Sequence, residues 1–376
     1  DGCSSLREIS IPSSVKEIGE LHLIKCSSLV EMIIPSSSKV GSICFHECSS
    51  LIEVSLPSSI NIICEHCFDS CSSLKRIEIP SSVTLIDNYA FNKCSSLTKI
   101  WIPESVKEIK DKAFDGCVEL KEIIIPLSVT KIGDLCFNGC SLLTKMTIPS
   151  SVRKIGNLSF DGCSSLKKIE ISKLVTKIGR ISFNGCSSLK EISIPKSVKV
   201  IHAKSFKGCT SLAQICIPSS IPLDKQDSIT RYTLAQNLMS LSVTSIKEYA
   251  FSECTSLTQI KLPSSLVEIA EYAFEGCSSL KHVLFASPYY LVSIGKNAFC
   301  GCSSLKEISI PSSVDDIGDY AFVKCSSLTK IEILSSTAEI GSGVFDECSS
   351  LREISIPSEF QKPINFVSSN VKINII

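Results

Sequence analysis

The sequence contains no run of 18 or more apolar residues, so no membrane-spanning helix is expected from it and no insertion into a bilayer. It carries no net charge either, with 38 Lys+Arg balancing 38 Asp+Glu at a pI near 7.0. That removes the basic excess on which nucleic-acid and anionic-membrane binding rest, and no nucleic-acid partner is expected. Glycine-rich phosphate loops are missing, because the 17 glycines fall singly, mostly in I-G, N-G or D-G contexts that read as turns. The five histidines, His22, His46, His66, His202 and His282, show no pairing with a fixed nucleophile. No nucleophile, base and orienting group can be named together, so neither an enzyme nor a cofactor is expected. No basic-then-apolar leader stands at Asp1, and the chain opens in mid-pattern, as a piece cut from something longer would.

What is abundant is cysteine. Fifteen of the 21 fall in one register, from Cys3, Cys26, Cys48 and Cys71 to Cys348, with successive gaps of 23, 22, seven of 23, then 45, 23, 25, 23 and 23. A fixed period of this size is the signature of a solenoid. The unit reads C-S-S-L-x-x-I-x-I-P-S-S-V-x-x-I-G-x-x-A-F-x-G, as in Cys186 to Gly208 with small departures. Within the 45-residue gap, Leu234 to Val243 fits the strand pattern with Asn237 and Ser240 as misfits. The reading is therefore about 16 repeats over residues 1–357, with a degenerate one at about 219–243 and a tail or partial cap at 358–376.

L-x-x-I-x-I is short, β-branched and alternating, and the proline after it ends the strand because it cannot donate to a ladder. Every repeat runs the same circuit, so the strands are parallel. The second segment, V-x-x-I-G-x-x-A-F, is too short for a full helix and is expected to form an extended piece and one helical or 3₁₀ turn. The fold class is thus an α/β repeat with a parallel sheet on one side and an irregular or 3₁₀ side opposite. The Leu, Ile, Val and Phe columns supply a continuous core, and the cysteine column reads as a buried ladder of free thiols.

The combination of proline after the strand, the A-F pair and G-C-S-S-L resembles leucine-rich repeats of the BspA-like class, known from bacterial surface antigens and expanded in trichomonad-type protists. The likeness covers about residues 1–357. It implies a right-handed solenoid with a concave parallel sheet, and adhesion or protein binding at a cell surface or outside the cell. Similar arrays also occur fused to protein kinases, which implies the alternative of a cytoplasmic scaffold or sensor arm.

Candidate chemistry is sparse. Ser-x-x-Lys, which can mark a serine nucleophile, recurs at five places because the repeat recurs, whereas an active site is singular. Cys44, His46, Cys48, Cys64, His66 and Cys67 offer zinc-type ligands in neighbouring turns. Cys48 belongs to the core column, Cys44 and Cys67 to the alanine column, and the two histidines to different repeat positions expected to face different sides, so no metal site is expected.

Function falls to the exposed face of the sheet, where the third and fifth residues of L-x-x-I-x-I point away from the core. The third position runs basic through Arg76, Lys99, Lys145 and Lys168, interrupted by Glu122. The fifth position holds Glu78, then Trp101, the single tryptophan, then Ile124. Trp101 flanked by Lys99 and Ile124 reads either as an interaction hot spot or as a ring lying flat over its neighbours, shielded by Glu78 and Ile124. These eight residues are the candidate site for a protein or glycan ligand. Open solenoid ends also permit end-to-end self-association.

Overall fold

The computed structural model describes residues 2–36, 38–218, 242–360 and 371–376. The chain is a parallel β-solenoid, and its contacts divide it into two units, Asp1–Val175 and Thr176–Ile376.

One turn shows why the repeat folds as it does. From Cys94 to Phe114, the residues Cys94, Leu97, Val106, Ile109, Ala113 and Phe114 are wholly buried, with Ile100 and Ile102 nearly so. The alternation in Lys99–Trp101 turns Ile100 inward and its two neighbours outward. Pro103 then closes a tight turn in which the Val106 amide donates to the Pro103 carbonyl at 3.1 Å. The short back strand Glu108–Ile109 follows, pairing in parallel with Leu85–Ile86 and Lys131–Ile132.

In the first unit the front strands Glu8–Ser10, Glu31–Ile33, Glu53–Ser55 and Arg76–Ile77 pair in that order. Lys99–Trp101, Glu122–Ile124, Lys145–Ile148 and Lys168–Ile171 form the next set, and a Glu78 to Trp101 bridge joins the two. The second unit repeats the plan, and its last front strand, Lys372–Ile375, pairs in parallel with Glu353–Ile356.

Phenylalanine and cysteine columns run up both units. Phe91, Phe114 and Phe137 stack with centroids 5.3 and 5.5 Å apart. Between Cys71 and Cys348 the column thiols donate to the carbonyl of the phenylalanine one turn back, as Cys117 does to Phe91 at 3.1 Å and Cys209 to Phe183 at 3.1 Å. The thiols are therefore hydrogen-bond donors as well as small apolar fillers. All 21 are free.

One expectation needs correction. The back of each turn is not helical, and no α- or 3₁₀-helix occurs among the described residues. The bonds there are of the tight-turn kind, such as Asp115 N to Lys112 O at 3.2 Å and Cys117 N to Phe114 O at 3.2 Å. Lys112 and Gly116 both have positive φ, 57° and 72°, so the right-handed run breaks after each turn. Sixteen front strands are described and 14 of them are followed by a back strand, so about 14 complete turns stand beside the 16 repeats expected. The back segment after Cys348 falls partly in 361–370, outside the described residues, as does the degenerate repeat expected at 219–243 except for its last two positions. The described turns on either side of that gap bond directly to one another: Val200 pairs with Ser245, and the Phe206 amide donates to Ala250.

Candidate functional site

The front sheet places the eight candidate residues in two adjacent rows. Parallel pairing with no stagger sets Lys99 beside Glu122 and Trp101 beside Ile124, then Glu122 beside Lys145 and Lys145 beside Lys168. Glu78 sits across the bridge from Trp101. All eight side chains are exposed. Trp101 is 60% and Ile124 62% exposed, which makes them neighbouring apolar groups beside the charged residues of the third position. The shielding by neighbours expected for a ring lying flat is small at that exposure.

Ion pairs consume part of the charge. The Lys99 ammonium lies 2.6 Å from Glu122, Arg76 lies 3.7 Å from Glu53, and Lys168 lies 3.0 Å from Glu170. Hydrogen bonding to Lys99 and its positive charge hold the Glu122 carboxyl below its ordinary value, and Lys168 does the same to Glu170. These exposed pairs add little stability, and their effect is to make the face patterned rather than uniformly basic.

The second unit has a front-face groove that the sequence reading did not single out. It is lined by His282, Leu284, Glu307, Ser309, Lys330 and Glu332. Leu284 is 52% exposed. Glu332 accepts from Ser309 at 2.6 Å and pairs with Lys330 at 2.8 Å, which holds its carboxyl below the usual range. The apolar residue at a fifth position was the available signal.

A further grouping corrects the expectation that His46 and His66 face different sides. Their rings meet edge to face with centroids 5.5 Å apart, and both approach Asp69. Two local geometries converge there. His46 and Asp69 each follow a column phenylalanine, Phe45 and Phe68, so the 23-residue stack sets one over the other. His66 and Asp69 lie three apart in one tight turn, with His66 at φ 56°, and the turn brings the ring back onto the carboxylate. One ring nitrogen of His46, one of His66 and an Asp69 oxygen fall within 4.8 Å of one another. The neighbouring sulfurs are otherwise engaged, since the Cys64 and Cys67 thiols both donate to the Ile43 carbonyl, at 2.9 and 3.1 Å.

The repeat pattern matches the family described as BspA type Leucine rich repeat region, in six copies, over residues 1–121, 130–241, 225–290 and 284–376. The chain is similar to a leucine-rich repeat protein from Bacteroides ovatus, at 27% identity and a TM-score of 0.82, over 98% of this chain and 92% of that one. A leucine rich cell surface protein from Faecalibacterium prausnitzii shares 26% identity over 93% of this chain and 88% of that one, with a TM-score of 0.44. No curated protein matches the chain.

Proposed function

Because the chain belongs to the BspA-type leucine-rich repeat family, a family of interaction scaffolds, we propose that it is a non-enzymatic, adhesin-like binding protein. Its place in this reading is the cell surface or the extracellular space, and its ligand is a protein or glycan held on the front face. The observation that carries the reading is the Trp101 and Ile124 pair, adjacent in register and more than half exposed. Large apolar side chains in the middle of a polar field, rimmed by Arg76, Lys99, Glu122, Lys145 and Lys168, have the arrangement of an interface centre with a charged rim. Covering both would contribute on the order of 2–4 kcal/mol, enough to set the affinity of a modest interface.

The test is binding of the labelled chain to intact eukaryotic cells, before and after treatment with a protease or a glycosidase. Sensitivity to one treatment names the ligand as protein or glycan. Trp101→Ala with Ile124→Ser should weaken binding by about tenfold or more, the equivalent of about 1.4 kcal/mol. Binding unchanged within about twofold would overturn the assignment of this face.

One observation favours a second reading. Twenty-one free thiols are unusual for a secreted protein and suit a reducing compartment, where the array would serve as a scaffold or sensor arm of a larger, kinase-bearing protein. Lack of any cell binding, with partner capture by the same face inside the cell, would favour it.

A further inference from the structure

The geometry points to a divalent transition-metal site of the zinc class formed by His46, His66 and Asp69. His66 Nδ1 lies 2.7 Å and His46 Nδ1 3.5 Å from the same oxygen, Asp69 Oδ2. Donors each about 2.0–2.1 Å from one ion stand roughly 2.9–3.4 Å apart, so closing the triad needs only side-chain adjustment.

The protonation pattern calls for a positive occupant. His46 Nε2 lies 3.0 Å from Glu47 Oε1, so the neutral ring carries its proton on Nε2 and presents a bare lone pair at Nδ1. That Nδ1 is buried and has no hydrogen-bond partner. It faces a carboxylate oxygen, so two electron-rich atoms oppose one another across 3.5 Å. A metal ion between them satisfies both, with His66 binding through Nδ1 once its proton moves to Nε2.

The surroundings are those of a supported ligand set. The other Asp69 oxygen, Oδ1, accepts from Asn92 Nδ2 at 2.8 Å and from Ser70 Oγ at 3.0 Å, which turns Oδ2 toward the imidazoles. Glu47 fixes the His46 tautomer, and Tyr89 stacks on the His66 ring at 4.5 Å. Such partners orient metal ligands and raise their basicity. Asp69 is only 9% exposed, while His46 and His66 are 27% and 41% exposed, so an ion enters from the histidine side and keeps positions for water.

Among the described residues the set occurs once. At the corresponding positions of later turns stand Tyr89 with Asn92, Lys112 with Asp115, and Leu135 with Asn138. In the Lys112 and Asp115 pair the first residue is itself a cation, with its ammonium over the Tyr89 ring at 4.9 Å. Two imidazoles and one carboxylate without thiolate make a borderline donor set, suited to Zn(II), Co(II) or Ni(II) rather than to a soft, all-sulfur site.

Titration of the full chain with Zn(II), and with Co(II) as a spectroscopic probe, tests the site. One ion should bind per chain with weak visible d–d bands and no intense near-ultraviolet sulfur-to-metal transition, and it should raise the melting temperature. Asp69→Asn and His66→Gln should each weaken binding by about tenfold or more, Glu47→Gln by about tenfold through the lost support, and Cys64→Ser should leave it unchanged. His66 is the more exposed of the pair, so its variant answers the question should Asp69→Asn fail to fold. Undiminished binding in His66→Gln, or a thiolate transition that Cys64→Ser abolishes, would overturn the assignment.

Discussion

A sealed ladder of thiols makes a prediction about chemical reactivity that can be worked through. Of the 21 cysteines, Cys3 and Cys216 are exposed, Cys44, Cys64 and Cys300 are half-buried, and the rest are buried. Burial pushes the Cys209 and Cys277 thiols up to about 12. At pH 8 a free thiol near 8.5 is about a quarter ionised, and one at about 12 only on the order of one part in ten thousand. The more basic thiolate is the better nucleophile, which returns a factor of about 40. Ionisation alone thus slows attack on a disulfide reagent by roughly 60-fold, before any opening of the core is required. Mixing the folded, unreduced protein with an aromatic disulfide at pH 8 should label two thiols fast and three more slowly, leaving the other 16 until denaturant is added. The denatured total should be 21. A smaller total would reveal disulfides, and fast labelling of more than five in a protein that keeps its circular dichroism would refute the sealed ladder.

Three further outcomes follow from the same packing. Burial holds a dozen of the buried thiols, Cys94, Cys117 and Cys140 among them, above their ordinary value. Below about pH 7 both states are protonated and this contribution is whole; as the pH rises through about 8.5 the unfolded chain sheds protons that the folded chain keeps, costing up to about 1.4 kcal/mol per pH unit for each thiol. The urea midpoint should therefore be level from about pH 6 to 7, begin to fall by about pH 8 and drop steeply by about pH 10, and a level profile to pH 10 would contradict the burial. Phe114→Ala removes a ring stacked on both sides and should cost about 3–5 kcal/mol in urea denaturation, whereas Phe345→Ala should cost about half as much. Phe345 is 8% exposed and 6.0 Å from Phe322, and equal losses would show that the column does not act as argued. Gly156→Ala would drive its new methyl into the Gly133 backbone of the preceding turn, so a loss of about 1–3 kcal/mol is expected, and a neutral variant would show that the turns can part.

The sequence made the columns legible because a stacked repeat writes the same demand every 23 residues. Ile100 inward and Lys99 and Trp101 outward follow from alternation alone, and the phenylalanine and cysteine columns from spacing. The back of the turn was misread because its decisive feature is a left-handed residue such as His66, Tyr89 or Lys112, and none of these is the glycine that normally announces one. The same feature hid the histidine cluster. His66 reaches Asp69 only through that turn, while His46 reaches it through the stack, and no linear motif combines the two steps. The degenerate repeat expected between Cys209 and Cys254 lies outside the described residues, and the described segments on either side pair directly, Val200 with Ser245. The pairing of Lys99 with Glu122 was implicit in the period, because residues 23 apart lie side by side.

Trp101 is the only tryptophan, so its fluorescence reports from a single point on the front face. Acrylamide quenching of the free chain should be efficient, given a ring 60% exposed. In complex with the ligand identified by cell binding, the quenching constant should fall by about threefold or more as the ring is covered. A quenching constant that does not change on binding would contradict the claim that this face carries the function.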